Sequence, residues 1–169
     1  MKHAVLTRLS EQDYLEGGRA SPIRHEYVAG EVFARAVSNK AHNLISGNVA
    51  MLLRNAWRGS GCQTFIADMR VRIAAQSSFY YPDVVVTCAP GDDLASGAPK
   101  DHIESPSLIV EVLSPSTEAI DRREKMLAYR HIENLREYVL IDQDRRWVEV
   151  YRRAGSGSPT CIRLATRSH

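Results

Sequence analysis

A chain of 169 residues with 44% hydrophobic and 25% charged side chains has the size and composition of one globular domain, expected over 1–169, with a core built around a sheet. Its net charge of +2 neither announces nor excludes a nucleic-acid partner. No 18 apolar residues run together and no apolar stretch follows Lys2, which argues against a membrane span and a secretory leader and makes a cytoplasmic protein the expectation. Cys62, Cys88 and Cys161 are odd in number and far apart, so neither a zinc motif nor a disulfide framework is expected.

Up to about Pro22 the chain is a polar lead-in, with Ser10 placed to cap a helix over 11–16 that Gly17-Gly18 ends. Residues 25–37 read as a hairpin turning at Ala29-Gly30. Ser38 or Asn39 then caps a longer helix reaching about Trp57. Its residues Ile45, Val49, Leu52, Leu53 and Ala56 recur at the spacing of a buried stripe, and His42 falls on it. Three strands follow, over 63–67, 69–75 and 80–87. The second alternates Met69, Val71 and Ile73 with Arg70 and Arg72, predicting one wet face. The third holds Val84-Val85-Val86, as a strand covered on both faces does.

Residues 89–106 are rich in Gly, Pro, Asp and Ser and read as a long loop. The run 107–113 is the strongest central-strand signal. Ser114-Pro115-Ser116-Thr117 breaks it and caps a helix over 118–134. Residues 136–142 and 147–153 pair around Asp144-Arg145, and a weak strand over 160–164 precedes a tail. The order implies an α/β fold, a mixed β-sheet flanked by helices with an N-terminal hairpin and a core over about 10–152.

One charged residue stands where an apolar side chain is expected: Glu111, inside Leu108-Ile109-Val110-Glu111-Val112-Leu113. A carboxylate in low dielectric is costly unless it is paired or binds a metal. Asp83, after Pro82 and ahead of the valine run, is a similar case. Converging at one sheet edge, the two make an oxygen cage for a hard cation such as magnesium. The alternative is that Glu111 pairs with an arginine and Asp83 caps a turn. Lys125 lies four residues past Asp121 and four before Tyr129, on one helix side with Ala128 and Ile132. It can hold an attacking water and neutralise a scissile phosphate, or simply bridge to Asp121.

The runs Tyr81-Pro82-Asp83-Val84-Val85-Val86 and Pro106-Ser107-Leu108-Ile109-Val110-Glu111-Val112-Leu113-Ser114-Pro115-Ser116-Thr117 resemble the signature of the Uma two family. Asp121, Lys125, Tyr129 and Glu137-Tyr138-Val139-Leu140-Ile141-Asp142 come after them in that family's order and spacing. Upstream, Glu26-Tyr27-Val28-Ala29-Gly30-Glu31 and His42 also match, so the likeness runs from about residue 10 to 152. The resemblance implies the PD-(D/E)xK restriction-endonuclease-like fold, with Asp83 and Glu111 as metal ligands. The parent pattern carries a lysine two residues past the glutamate; here that position is Leu113, and Lys125 is the candidate replacement.

The expected protein is thus a magnesium- or manganese-dependent endonuclease, acting on DNA, its metal held by Asp83, Glu111 and the backbone carbonyl of Val112. The alternatives are a nuclease-fold protein that binds nucleic acid or a protein partner without cutting, and a plain structural or dimerisation module. Glu31 can add a metal contact or be a solvated strand residue; His42 can be a ligand or a core histidine; Asp121 can orient Lys125 or act on the helix N-terminus. Asp68 reads more simply as a turn residue. Arg122, Arg123 and Arg130 on the helix, with Arg145, Arg146, Arg152 and Arg153 near the last hairpin, can neutralise phosphates or form a solvated face. Tyr80, Tyr81, Trp147 and Tyr151 can stack on bases or fill the core. A homodimer is expected if both strands of a duplex are cut.

Overall fold

The computed structural model describes residues 8–35, 38–93 and 101–153, and the backbone alone of 160–165. The two most apolar runs meet at its centre. Strand β6 (Val84–Thr87) pairs antiparallel with β8 (Pro106–Leu113), Val84 facing Val110 and Val85 facing Ile109. On its other side β8 runs parallel to β9 (Glu137–Asp142), which turns back into β10 (Trp147–Arg152) and then β11 (Thr160–Ala165). With β3 (Gln63–Ile66) beside β6, the sheet order is β11-β10-β9-β8-β6-β3.

Both faces of this sheet are covered, which is why its inner strands lack polar alternation. On one face lies helix α2 (Lys40–Ala56), its Ala50, Val49 and Leu53 against Val84 and Val110. The other face carries Val85, Ile109, Leu113 and Leu140 into the main core with Tyr129, Ile132 and Tyr138. That core also takes Val71, Ile73 and Tyr80 from a second sheet. Its order is β2-β1-β5-β4-β7, built from β1 (His25–Val28), β2 (Glu31–Ala34), β4 (Arg70–Ile73), β5 (Ser78–Tyr80) and β7 (His102–Ile103).

The N-terminal hairpin forms as expected, Ala29 and Gly30 taking φ of 49° and 99°, the pair of positive values that a two-residue turn between twisted strands requires. Asn39 caps α2, accepting the His42 N–H at 2.9 Å. The final strand and the 137–152 hairpin also fall where the pattern places them.

Several expectations are corrected. The mixed-sheet α/β fold stands, with its strands divided between two mixed sheets. The predicted strand 80–87 is split between them, because Tyr81-Pro82-Asp83 leaves one sheet and enters the other and Pro82 has no N–H for a ladder. Helix α1 (Glu11–Ala20) continues through Gly17 and Gly18, held by buried Tyr14, and a Cβ on Gly18 would stand 3.2 Å from the Arg70 guanidinium. The face of β4 predicted to be wet is so only in part: Arg72 is partly exposed, but Arg70 is 5% exposed, pairs with Asp101 and lies against the Tyr14 and Tyr81 rings. Leu52 points to solvent, while Ala50 and His42 take the buried side of α2.

The helix predicted over 118–134 ends at Tyr129, after which the chain turns so that Ile132 and Leu135 enter the core. This helix, α3 (118–129), begins as Glu118–Ile120, widens into a π turn over Asp121–Lys125 and closes as Met126–Tyr129. The long loop contains β7 and a short turn at Pro90–Asp92; residues 94–100 lie outside the described residues. Cys62 and Cys88 form a disulfide, contrary to expectation. They occupy the next rung of the β3–β6 ladder beyond Gln63–Thr87, a proximity that strand pairing creates and sequence spacing hides.

Candidate active site

One step beyond the Val84–Val110 rung, the β6–β8 register brings Asp83 beside Glu111. Both are buried: Glu111 is 2% and Asp83 5% exposed. Glu111 shares its side of β8 with Ile109 and Leu113 and so faces α3, where Lys125 Nζ and the Tyr129 hydroxyl donate to its Oε1 at 3.1 and 3.0 Å. The π turn of α3 buries both Asp121 and Lys125. Lys125 Nζ thereby lies 3.1 Å from Asp121 Oδ1 and 3.4 Å from Glu26 Oε1 on β1. Three carboxylates converge on one ammonium.

Asp83 is held from the other direction. Arg35 Nη2 donates to Oδ1 at 2.9 Å; the Val112 N–H at 2.7 Å and His42 Nε2 at 3.1 Å reach Oδ2. His42 is brought there by the first turn of α2, and Arg35 by the strand end after the hairpin.

The charges respond to this crowding. Burial raises the Glu111 carboxyl well above its ordinary value; Lys125 pulls it down, while Asp121, Asp83 and Glu26 push the same way as burial. Burial opposes the charge on Lys125, but Glu111, Glu26 and Asp121 override it, and the ammonium is held well above its usual range. Burial also opposes ionisation of Asp83; His42, the Val112 N–H and Arg35 outweigh it and lower the carboxyl. The result is an Asp83 held ionised beside a glutamate whose ionisation is opposed by its burial and by three neighbouring carboxylates.

These groups form the floor of a cavity of about 520 Å³, whose walls include Phe33, Ser114 and Ile120. Five carboxylates line it (Glu26, Asp83, Glu111, Asp121 and Glu124) beside two permanent cations, Arg35 and Lys125. Among the described residues no three His, Cys, Asp or Glu side chains are disposed to enclose a metal. The donor set nevertheless fits magnesium, which commonly takes one or two carboxylates and keeps water for its other positions. Glu111 Oε1 is occupied, whereas its Oε2 accepts no hydrogen bond from a described residue.

The structure thus gathers Asp83, Glu111, Val112, Lys125, Asp121 and His42 into one neighbourhood. Glu31 is not among them: it is exposed on β2 and outside the cavity lining, and the hairpin contributes Glu26 instead. Asp68 is exposed and pairs with Arg24 at 3.4 Å. Arg122 does not face solvent freely but bridges Glu118 at 2.8 Å and Glu149 at 2.9 Å. Arg145 pairs with Asp142 and Arg152 with Glu137, while Arg146, Arg123 and Arg130 are exposed. Tyr80 is buried with its hydroxyl on Glu124, and Trp147 and Tyr151 donate to Glu149. Of the four predicted stacking aromatics, Tyr81 alone lines the cavity.

Comparison with known proteins bears on this arrangement. The model of the Uma2 family (the Uma two signature above), described as "Putative restriction endonuclease", matches residues 11–164. Two Synechocystis proteins described as uncharacterised, slr1290 and sll1609, are each 33% identical to the chain. The matches cover 91% and 87% of this chain and 79% and 82% of theirs. A crystal structure from Anabaena variabilis, described as "a putative nuclease belonging to DUF820", superposes with a TM-score of 0.71 at 17% identity, covering 91% of this chain and 84% of that one. At that identity the likeness establishes the fold. No helix among the described residues is long and apolar enough to cross a membrane.

Proposed function

The chain belongs to the Uma2 family, and on that premise we propose that it is a metal-dependent nuclease hydrolysing phosphodiester bonds, with DNA as its substrate and magnesium or manganese as its cofactor. The observation that carries this reading is the pairing of Asp83 and Glu111 on adjacent buried strands at the floor of an acidic cavity, with Lys125 against Glu111. Buried like charges destabilise a fold, and a site that binds a cation has use for them.

When bound, the cation supplies Lewis acidity toward the phosphate and lowers the pKa of a bound water. Asp83 and Glu111 would hold it, with the Val112 carbonyl, which projects from the same edge of β8 as the N–H given to Asp83. Arg35 and His42 fix the Asp83 carboxylate. Lys125 positions a water and offsets charge on the phosphate, the task of the lysine that Leu113 replaces. Asp121 and Glu26 keep the ammonium charged and aimed. DNA rests on the family description alone, a weaker warrant than the site chemistry.

A second reading, a nuclease fold that binds nucleic acid or a partner without cutting, draws on one feature: Lys125 already occupies the point where three carboxylates converge. Two measurements separate the readings. Purified protein is incubated with plasmid and with mixed oligonucleotides in magnesium or manganese, beside Asp83→Asn and Glu111→Gln. Thermal midpoints are followed over the same metal titration. We expect metal-dependent cleavage of at least one of these substrates that falls at least about a hundredfold in each variant, and a metal-dependent rise in midpoint that Glu111→Gln abolishes. A wild-type protein that binds nucleic acid but neither cuts nor responds to metal favours the second reading.

A further inference from the structure

The floor of the cavity is acidic, but parts of its rim are apolar. Phe33 and Ile120 line it while remaining 48% and 43% exposed, in a protein whose Phe79 is fully buried. The hairpin register explains where Phe33 stands. It is directly opposite Glu26, and directly opposed residues of an antiparallel pair share a face. That is the face from which Glu26 reaches Lys125 and from which Arg35, two residues after Phe33, reaches Asp83. The ring is thus set beside the candidate reacting groups and left uncovered.

The cations complete the picture. Both permanent cations of the lining, Arg35 and Lys125, are engaged by carboxylates. Of the arginines expected to track a phosphate backbone, Arg122, Arg145 and Arg152 are paired with Glu118 and Glu149, Asp142 and Glu137, and the exposed Arg123, Arg130 and Arg146 lie outside the cavity lining. A duplex presents phosphates outward and hides its bases, so this rim offers it little. A strand with unpaired bases presents flat apolar faces, which an uncovered aromatic ring can stack on. A cavity of about 520 Å³ is also of the size that encloses one small ligand, a nucleotide or two, and three of its carboxylates, Asp83, Glu111 and Asp121, are buried.

We propose that Phe33 is a stacking platform for an unpaired base and that this cavity therefore takes single-stranded nucleic acid, an inference that rests on the nuclease reading above. Its test is fluorescence anisotropy with a short labelled single strand, the matching duplex, and the same strand made abasic at its centre. Calcium replaces magnesium to keep the substrate intact, and cleavage is followed separately in magnesium. Wild type binds the single strand about tenfold more tightly than the duplex. Phe33→Ala weakens binding of the single strand about tenfold, Phe33→Trp retains it, and neither changes binding of the abasic strand.

Because Phe33 is half exposed, the melting midpoint of Phe33→Ala matches wild type, which separates loss of stacking from loss of fold. Equal affinity for duplex, or equal losses on abasic and base-bearing strands, overturns the stacking platform. Wild-type cleavage of duplex together with unchanged cleavage by Phe33→Ala overturns it while leaving the nuclease reading intact. Failure of wild type to bind or cut any of the three nucleic acids overturns both.

Discussion

Glu111 and Glu149 lie on strands of the same sheet and expose little surface, 2% and 3%. Yet Glu111 sits deep in the fold, Glu149 nearer its outside, and their surroundings are inverted. Around Glu149, one carboxylate receives Arg122 and Trp147 on Oε1 and the Tyr151 hydroxyl on Oε2. Although burial opposes it, these donors hold its carboxyl below the ordinary value. Around Glu111, a single ammonium serves three carboxylates, and burial together with the surplus charge drives the carboxyl up. The first cluster ties α3 to β10 and meets both carboxylate oxygens of Glu149 with donors. The second leaves negative charge unbalanced at the floor of a cavity, the state that a fold tolerates where the surplus has a use. Burial of an acid is therefore weak evidence of a site; the balance of its neighbours decides.

Three variants press on this contrast. The largest effect is expected for Lys125→Met, which leaves Glu111, Asp121 and Glu26 without their shared cation. Denaturant unfolding should show a loss of about 3–5 kcal/mol, the cost of breaking one side of a buried ion cluster. A loss below about 1 kcal/mol would mean that water already reaches these carboxylates. Glu149→Gln is next, at about 1–3 kcal/mol, because a neutral amide meets Arg122 and can accept on only one oxygen. Metal-dependent cleavage by Glu149→Gln should stay at the wild-type rate. Glu111→Gln is the smallest and runs the other way. With surplus charge removed and an oxygen still available to Lys125 and Tyr129, the metal-free protein at neutral pH should gain about 1 kcal/mol. A destabilised Glu111→Gln would refute the surplus-charge account.

Much of this site could be read from the chain. Asp83 and Glu111 betray themselves as acids on apolar strands, and Lys125 by its spacing from Asp121 and Tyr129. Glu26 gives no such sign, since it alternates with buried Tyr27 and reads as a solvent-facing strand residue. Only the folding of the hairpin over α3 turns it toward Lys125. Arg122 reads as a phosphate contact because Glu149, 27 residues away, meets it only after β10 returns past α3. The division into two sheets is hidden because residues 80–87 form one apolar run, and Pro82 marks a crossing as readily as a strand start. The π turn leaves no mark in composition either, because it is a change of backbone hydrogen bonding and not of residue type. Local pattern shows which residue is out of place; topology alone shows what it meets.

The same contrast gives a pH signature. The Glu149 carboxyl is lowered from 4.5 in the folded protein, so folding favours its ionised form. Its contribution is complete above the unfolded value and disappears as pH falls through the lowered folded value. Wild-type stability should therefore decline on acidification below about pH 5, and Glu149→Gln, which cannot titrate there, should decline less steeply over that interval. The two proteins should differ most at neutral pH and converge toward acid. Thermal midpoints across this range, taken without added metal, check the sign. Parallel curves would mean that Arg122, Trp147 and Tyr151 interact as well with the protonated acid as with the carboxylate, and that the cluster is held by packing and not by its charge.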